Sequence, residues 1–253
     1  MKILIFMTSE ATLHLLDGEL HPSGFWAEEL VVPYKRFKQE GYEIDIATIG
    51  GIRPTVDKTS IDPGFMPYVR PAGSQDDDAA RSAEYIQLIE DLPALKNPLN
   101  LDTLTKEQIA SYDGIYLSGG HGAIGDMPKS DQMAQLFRWA LELDMPIAAV
   151  CHGHCGLLTL RDGESKWPFE GYRLTCFSHA EELVTNMAGR LPFVLEAEVK
   201  RLGGLYEKAD VIWDSHVVVD RNLVTGQNPY SSKAIAETFI KKLDETKKAA
   251  TQV

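Results

Sequence analysis

The run Met145–Leu160, MPIAAVCHGHCGLLTL, limits the possible folds more than any other part of the chain. Ile147–Val150 form a short apolar stretch, as in a strand buried on both faces of a parallel sheet. Cys151 follows at once, then small residues and a second apolar run that suits a helix. A strand that breaks into a helix around one nucleophilic side chain is a nucleophile elbow. Gly153 and Gly156 fit it, because the turn brings helix and strand too close for larger side chains. The helix start would offer unpaired N–H groups and a positive dipole end, which lower a thiol pKa and hold a developing oxyanion. Cys151 is therefore the candidate nucleophile, although a cysteine closing a core strand can also be packing alone. Cys151 and Cys155, with His152 or His154, also invite a metal reading. Zinc motifs gather ligands from two separated pairs, whereas here one tight turn would supply them all, so no metal is expected. The chain has no histidine between His21 and His121, so its first helix has no imidazole to offer a metal.

The flanking pattern alternates strands and helices. Lys2–Thr8 read as a strand, Ser9–Ser23 as a loop, and Phe25–Glu40 as a helix capped by Ser23 or Gly24 and ended by Gly41. Trp26, Leu30, Val31 and Tyr34 or Phe37 give that helix a core-facing stripe. Glu43–Ile49 alternate as a second strand, which completes a β-α-β unit with a right-handed crossover. From about 52 to 111 prolines punctuate the chain. A helix over Asp77–Glu90 and another over Thr105–Ser111 are expected, and the stretch reads as an insertion wrapped on the sheet of a single domain (1–253), or as a lid. Ile115–Ser118 form a strand leading into Gly119-Gly120-His121-Gly122. Open parallel sheets bind ligands at such carboxyl ends, and an N–H of Gly119 or Gly120 could join an oxyanion hole. The lysine and hydroxyl of a phosphate loop are missing. Asp131–Leu143 and Leu195–Leu202 read as helices, and Arg173–Phe177, Val211–Asp220 and Leu223–Thr225 as strands. Ser231 to about Lys242 read as a closing helix with a polar, fraying tail. The fold class is α/β, a mostly parallel sheet between helices.

A net charge of -12 disfavours nucleic acid and anionic membrane as partners. Three cysteines leave one over in any pairing and point to a reducing compartment. The apolar start is too short to span a membrane and lacks a signal-peptide cleavage site, so a cytoplasmic protein is expected.

The run Ala149-Val150-Cys151-His152-Gly153, the turn Gly119-Gly120-His121-Gly122 with Asp126 and Pro128, and the late Leu223–Pro229 (LVTGQNP) resemble the DJ-1/PfpI superfamily. Together with Gly24–Glu29 (GFWAEE), they resemble its Hsp31-like branch, which includes glutathione-independent glyoxalases (glyoxalase III). The resemblance covers nearly the whole chain. It implies a flavodoxin-like sandwich related to the glutamine amidotransferase domain, usually a homodimer, with no organic cofactor. It also implies a catalytic cysteine paired with the following histidine and with a glutamate on the first helix. Aligned on Gly24 and Pro33, that glutamate falls at Glu29, with Glu28 one residue out of register. The third acid of the triad, counted from Phe177, falls at Glu182, beside Glu181. Two positions depart from the family pattern: His154 stands where proline is common, and His179 where aspartate is frequent.

The activity so implied acts on a small reactive carbonyl compound. Cys151 adds to the aldehyde of a 2-oxoaldehyde such as methylglyoxal, and Glu29 or His152 moves a proton between the two carbons. The His152 N–H and one from Gly119 or Gly120 hold the oxyanion, His121 lines the pocket, and Glu182 orients His152. Three rivals use the same residues: a Cys-His-Glu hydrolase or amidase, a hydro-lyase of the isonitrile-hydratase type, and a stress chaperone with Cys151 as redox sensor.

Overall fold

A computed structural model describes residues 1–160 and 166–251. In chain order its elements are β1 (Lys2–Phe6), β2 (Thr12–His14), β3 (Leu20–Pro22), α1 (Ala27–Gln39), β4 (Glu43–Thr48), α2 (Asp78–Asp91), α3 (Pro93–Lys96), β5 (Leu99–Asn100), α4 (Lys106–Ile109) and β6 (Gly114–Leu117). They continue with α5 (Gly122–Asp126), α6 (Asp131–Glu142), β7 (Ile147–Val150), β8 (Arg173–Leu174), α7 (His179–Val184), α8 (Leu195–Arg201), β9 (Leu205–Tyr206), β10 (Val217–Asp220), β11 (Leu223–Gly226) and α9 (Ser232–Ala250). The main sheet has the order β10-β11-β7-β6-β1-β4-β5. All its pairings are parallel except that of the edge strand β10 with β11. The mostly parallel α/β sheet expected from the sequence is what forms.

Alternation along β6 shows how the helices divide, since successive side chains leave opposite faces of a strand. The Tyr116 ring meets Phe37 of α1 edge-on at 5.7 Å, and Phe37 meets Phe239 of α9 at 6.1 Å. Leu117 points the other way, against Gly156, where an added Cβ would also meet Met133 and Phe137 of α6. Thus α1 and α9 cover one face, while α6 and the helix that follows Cys151 cover the other.

Several expected elements differ in extent. Ser9–Ser23 contains the β2–β3 hairpin. The strand expected over Arg173–Phe177 stops at Leu174 and pairs with β9 in a separate small sheet, because the Thr175 N–H goes to Thr225 Oγ1 instead of a ladder partner. Val211–Ser215 leaves the extended conformation, with Trp213 at φ +69°. The last helix runs on to Ala250, seated by buried Leu243 and closed by Lys247 and Lys248 in its last turn, where cations favour the helix dipole. The 52–111 stretch lies against α1: Val56 bridges Phe25, and Arg81 of α2 pairs with Glu28 at 2.8 Å. Among the described residues no helix is long and apolar enough to cross a membrane.

The start of α1 corrects the capping expectation. Neither Ser23 nor Gly24 caps it; Trp26 occupies the cap position without a side-chain bond. The distant Ser60 Oγ accepts the Ala27 N–H at 3.0 Å, and the Gly119 carbonyl accepts that of Trp26 at 3.1 Å. Gly24 is needed for another reason: a Cβ there would sit 2.1 Å from the Thr55 carbonyl oxygen. Farther along, Pro33 has no N–H to return to the carbonyl four residues earlier, which is that of Glu29. The Tyr116 hydroxyl donates to that carbonyl instead, at 3.1 Å, and so ties Glu29 to the central sheet. Tyr116→Phe should leave a buried carbonyl unsatisfied and lower stability by about 1–3 kcal/mol in urea unfolding. Unchanged stability would show that water replaces the hydroxyl.

Candidate active site

Three neighbouring parallel strands build the site, because their carboxyl ends all point to one edge of the sheet. β6 leads into Ser118–His121, β7 into Cys151 and His152, and β11 into Gln227–Pro229. Cys151 stands at the junction with φ +53°, a left-handed conformation that costs about 1–3 kcal/mol and persists only where surrounding structure enforces it. The enforcing contacts are close backbone approaches: a Cβ on Gly153 would lie 2.6 Å from the Leu117 carbonyl oxygen. Residues Cys151–Leu160 then wind as a 3-10 helix, tighter than the α-helix its composition suggests.

The side chains form one connected set. Cys151 Sγ lies 3.4 Å from His152 Nδ1, and His152 Nε2 lies 2.9 Å from Glu182 Oε2. The other carboxylate oxygen, Glu182 Oε1, is 2.7 Å from His121 Nε2 and accepts the Thr185 hydroxyl at 3.0 Å. Burial pushes the Glu182 pKa up, but the two imidazoles outweigh it and hold the carboxyl well below its ordinary range. Burial also works against charge on both histidines. At His121 the adjacent carboxylate wins and the pKa rises; at His152 burial and the neighbouring His121 win and it falls. Cys151 is 3% exposed, and burial together with Glu29 raises its thiol well above the usual value. This corrects the expectation of a thiol acidified by a helix start, since the cost of burying a charge exceeds what the nearby N–H groups return.

Glu29 is a second group beside the sulfur. Its carboxyl contacts the Cys151 thiol, Oε2 accepts the Gly119 N–H at 2.8 Å, and Oε1 has no hydrogen-bond partner among the described residues. Burial lifts its pKa to about 8, which favours the protonated carboxyl, able to donate a proton, at neutral pH. With Gly119 N–H held by Glu29, Gly120 is the glycine of that turn left to face an oxyanion. Glu28 points elsewhere, to Arg81.

Trp26, Val69, Phe177, Trp213 and Pro229 close an apolar cavity of about 10 Å³ over Cys151, His121 and His152, room for roughly one water molecule. Val69 comes from the proline-punctuated stretch, and no sequence periodicity marks it. Glu181, noted only as a neighbour of Glu182, is a fully buried hub. Its Oε1 accepts the Trp213 N–H at 2.9 Å, Gln227 Nε2 at 3.0 Å and Asn228 Nδ2 at 2.7 Å, and its Oε2 accepts the Ser178 hydroxyl at 2.7 Å. It thereby fixes Trp213 in its left-handed conformation as a cavity wall and gives Gln227-Asn228 a positioning role. Of the two departures, His154 is buried with Nδ1 on the Cys151 carbonyl at 2.8 Å. His179 is exposed at the start of α7 and does not line the cavity. His121, His152 and Glu182 could offer a metal three ligand atoms within 4.8 Å of one another. In the structure the Nε2 atoms of both histidines are bonded to the Glu182 carboxylate.

The sequence profile of the DJ-1/PfpI family matches residues 95–242, and that of ThiJ/PfpI family-like proteins residues 20–165. Protein/nucleic acid deglycase 1 of Escherichia coli strain K12 is 27% identical over 243 residues, covering 93% of this chain and 78% of that protein. Among solved structures, glyoxalase III from Candida albicans superposes with a TM-score of 0.74 at 26% identity, over 95% of this chain and 96% of the other. The 24 kDa Rapid Encystment Protein of Francisella tularensis does so with a TM-score of 0.78 at 26% identity, over 96% and 98%.

Proposed function

The chain belongs to the DJ-1/PfpI family, and from that premise we propose that it is a glutathione-independent glyoxalase. It converts methylglyoxal or another small 2-oxoaldehyde to the 2-hydroxy acid through covalent attachment to Cys151. The observation that carries this reading is the buried Glu29 carboxyl beside the thiol, a second acid in addition to the His152–Glu182 pair. An acyl-transfer triad has no use for such a group, whereas moving hydrogen between adjacent carbons requires one.

His152 Nδ1 takes the thiol proton as sulfur bonds to the aldehyde carbon C1. The carbonyl electron pair moves to O1, which takes the Glu29 proton and gives a hemithioacetal. Glu29, now a carboxylate next to the sulfur that carries C1, removes the C1 hydrogen. The C–H electron pair forms C1=C2, and the pair of the C2 carbonyl moves onto its oxygen. Glu29 returns the hydrogen to C2, and the O1 proton is passed to the C2 oxygen as the O1 electron pair closes the carbonyl, which leaves a thioester of the 2-hydroxy acid. Water then adds to the thioester carbon, Glu29 accepts one water proton, and the departing sulfur recovers the proton held on His152. The N–H groups of His152 and Gly120 face O1 while it carries charge. His152 does not serve as the carbon base in this scheme, because both its nitrogens are engaged, one by sulfur and one by Glu182.

The apolar walls and small cavity favour a compact, uncharged substrate. Even methylglyoxal needs more room than one water, so we propose that the Met66–Val69 turn moves aside to admit it, which makes part of the 52–111 stretch a lid. Incubation of the purified protein with methylglyoxal, without glutathione and with a chelator present, is expected to yield lactate at the same rate as without the chelator. No lactate under either condition would refute the activity. Lactate formed only without the chelator would put a metal at His121, His152 and Glu182.

A further inference from the structure

Two imidazoles share the Glu182 carboxylate, and their remaining nitrogens have different surroundings. The ionised carboxylate accepts from both Nε2 atoms, at 2.7 Å from His121 and 2.9 Å from His152, and so fixes which nitrogen of each ring carries the shared hydrogen. The remaining nitrogen of His152 is spent on the thiol, at 3.4 Å. His121 Nδ1 has no partner among the described residues, yet its ring lines the same small cavity as Cys151, 4.4 Å between centroids from the His152 ring. It is the ring nitrogen left for a substrate to meet.

We infer that His121 is a second catalytic histidine, whose Nδ1 exchanges a proton with the two oxygens of the Cys151-bound intermediate. The inference rests on the glyoxalase reading. As Glu29 removes the C1 hydrogen and C1=C2 forms, the electron pair of the C2 carbonyl moves onto its oxygen, which takes the proton of the His121 imidazolium. As Glu29 returns hydrogen to C2, the O1–H bond breaks, its proton passes to His121 Nδ1, and its electron pair closes the thioester carbonyl. His121 ends the sequence in the state in which it began, and no outside reagent is consumed. The carboxylate favours the imidazolium at this histidine, whereas burial and the adjacent His121 disfavour it at His152, so one ring is set as acid and the other as base. One glutamate thus orients a histidine for the nucleophile and a histidine for the substrate.

The test is His121→Gln, whose amide can still donate to Glu182 but cannot titrate. His121→Asn, which places an amide nearer the Nδ1 position, is the second variant should the first fail to fold. Each is assayed for methylglyoxal turnover, for alkylation of Cys151 by iodoacetamide, and for the isotope effect with methylglyoxal deuterated at C1. The expected result is a kcat lower by about 100-fold, a Cys151 alkylation rate close to wild type, and a larger isotope effect, because proton transfer at carbon becomes more fully rate-limiting. Near-normal kcat overturns the role of His121 alone. A loss of turnover matched by an equal loss of alkylation also overturns it, since His121 would then act only by holding Glu182 and His152 in place. Wild-type protein that leaves methylglyoxal unchanged refutes the glyoxalase reading and this role together.

Discussion

Cys151→Ser is expected to reduce methylglyoxal turnover by at least about 10,000-fold, the scale seen when the nucleophile of a covalent mechanism is removed. The site makes this substitution severe. Burial and Glu29 already raise the thiol well above its usual value, so the nucleophile forms only as its proton passes to His152 Nδ1, 3.4 Å away. A hydroxyl is a far weaker acid than a thiol and its anion is a harder charge to bury, so the same neutral imidazole cannot generate it. Folding should survive, because serine is smaller than cysteine and the left-handed backbone at φ +53° is imposed by the Gly153 and Gly119 approaches, not by sulfur. Melting temperature and lactate formation, measured on one preparation, separate the two effects. Turnover within a few-fold of wild type would remove the covalent step.

The second large effect is that of Glu29→Gln, expected to lower kcat by about 100-fold or more, at the lower end of general acid–base contributions. Glutamine can still accept the Gly119 N–H, but it has no proton to give O1 and cannot take one from C1. Glu28→Gln should change turnover little, since Glu28 is paired with Arg81 at 2.8 Å and reaches the site only through the field that helps raise Glu29. Stability gives an independent check. Burial pushes Glu29 up to about 8 in the fold from an ordinary 4.5, so between these values the folded state favours a proton that the unfolded chain has lost. Its contribution to stability is full below the unfolded value and is lost as pH rises through the folded one. The glutamine variant has no such loss, so its melting temperature should gain on wild type between about pH 5 and pH 8. If both glutamine variants turn over normally, the chemistry moves to a Cys151–His152–Glu182 hydrolase. If Glu28 is the essential one, the helix register is wrong.

The elbow was legible in the sequence because its causes are local. A four-residue apolar strand, a cysteine and two glycines at fixed spacing determine a junction, and parallel-sheet geometry puts it at the ligand-binding edge. His152 and the Gly119–Gly122 turn follow from the same logic, and Glu29 and Glu182 came from the family resemblance. The α1 cap is not legible locally, because Ser60, far along the chain, supplies it and no local rule detects a tertiary cap. The hub role of Glu181 was hidden for a related reason: its partners Trp213, Gln227 and Asn228 come from separate loops. The thiol was expected to be acidified because a helix start is visible in a sequence, whereas the degree of burial that opposes it is not. Val69 reaches the cavity from a stretch whose prolines indicated only irregularity.

The central claim is that substrate becomes covalently attached to Cys151 during turnover. Acid-quenching the enzyme in the presence of methylglyoxal, followed by peptide mass spectrometry, tests it directly. The account predicts an adduct with the mass of one methylglyoxal on the peptide that carries Cys151, present in wild type and missing in Cys151→Ser. Lactate production at full rate with that peptide unmodified, and undiminished in Cys151→Ser, would contradict it.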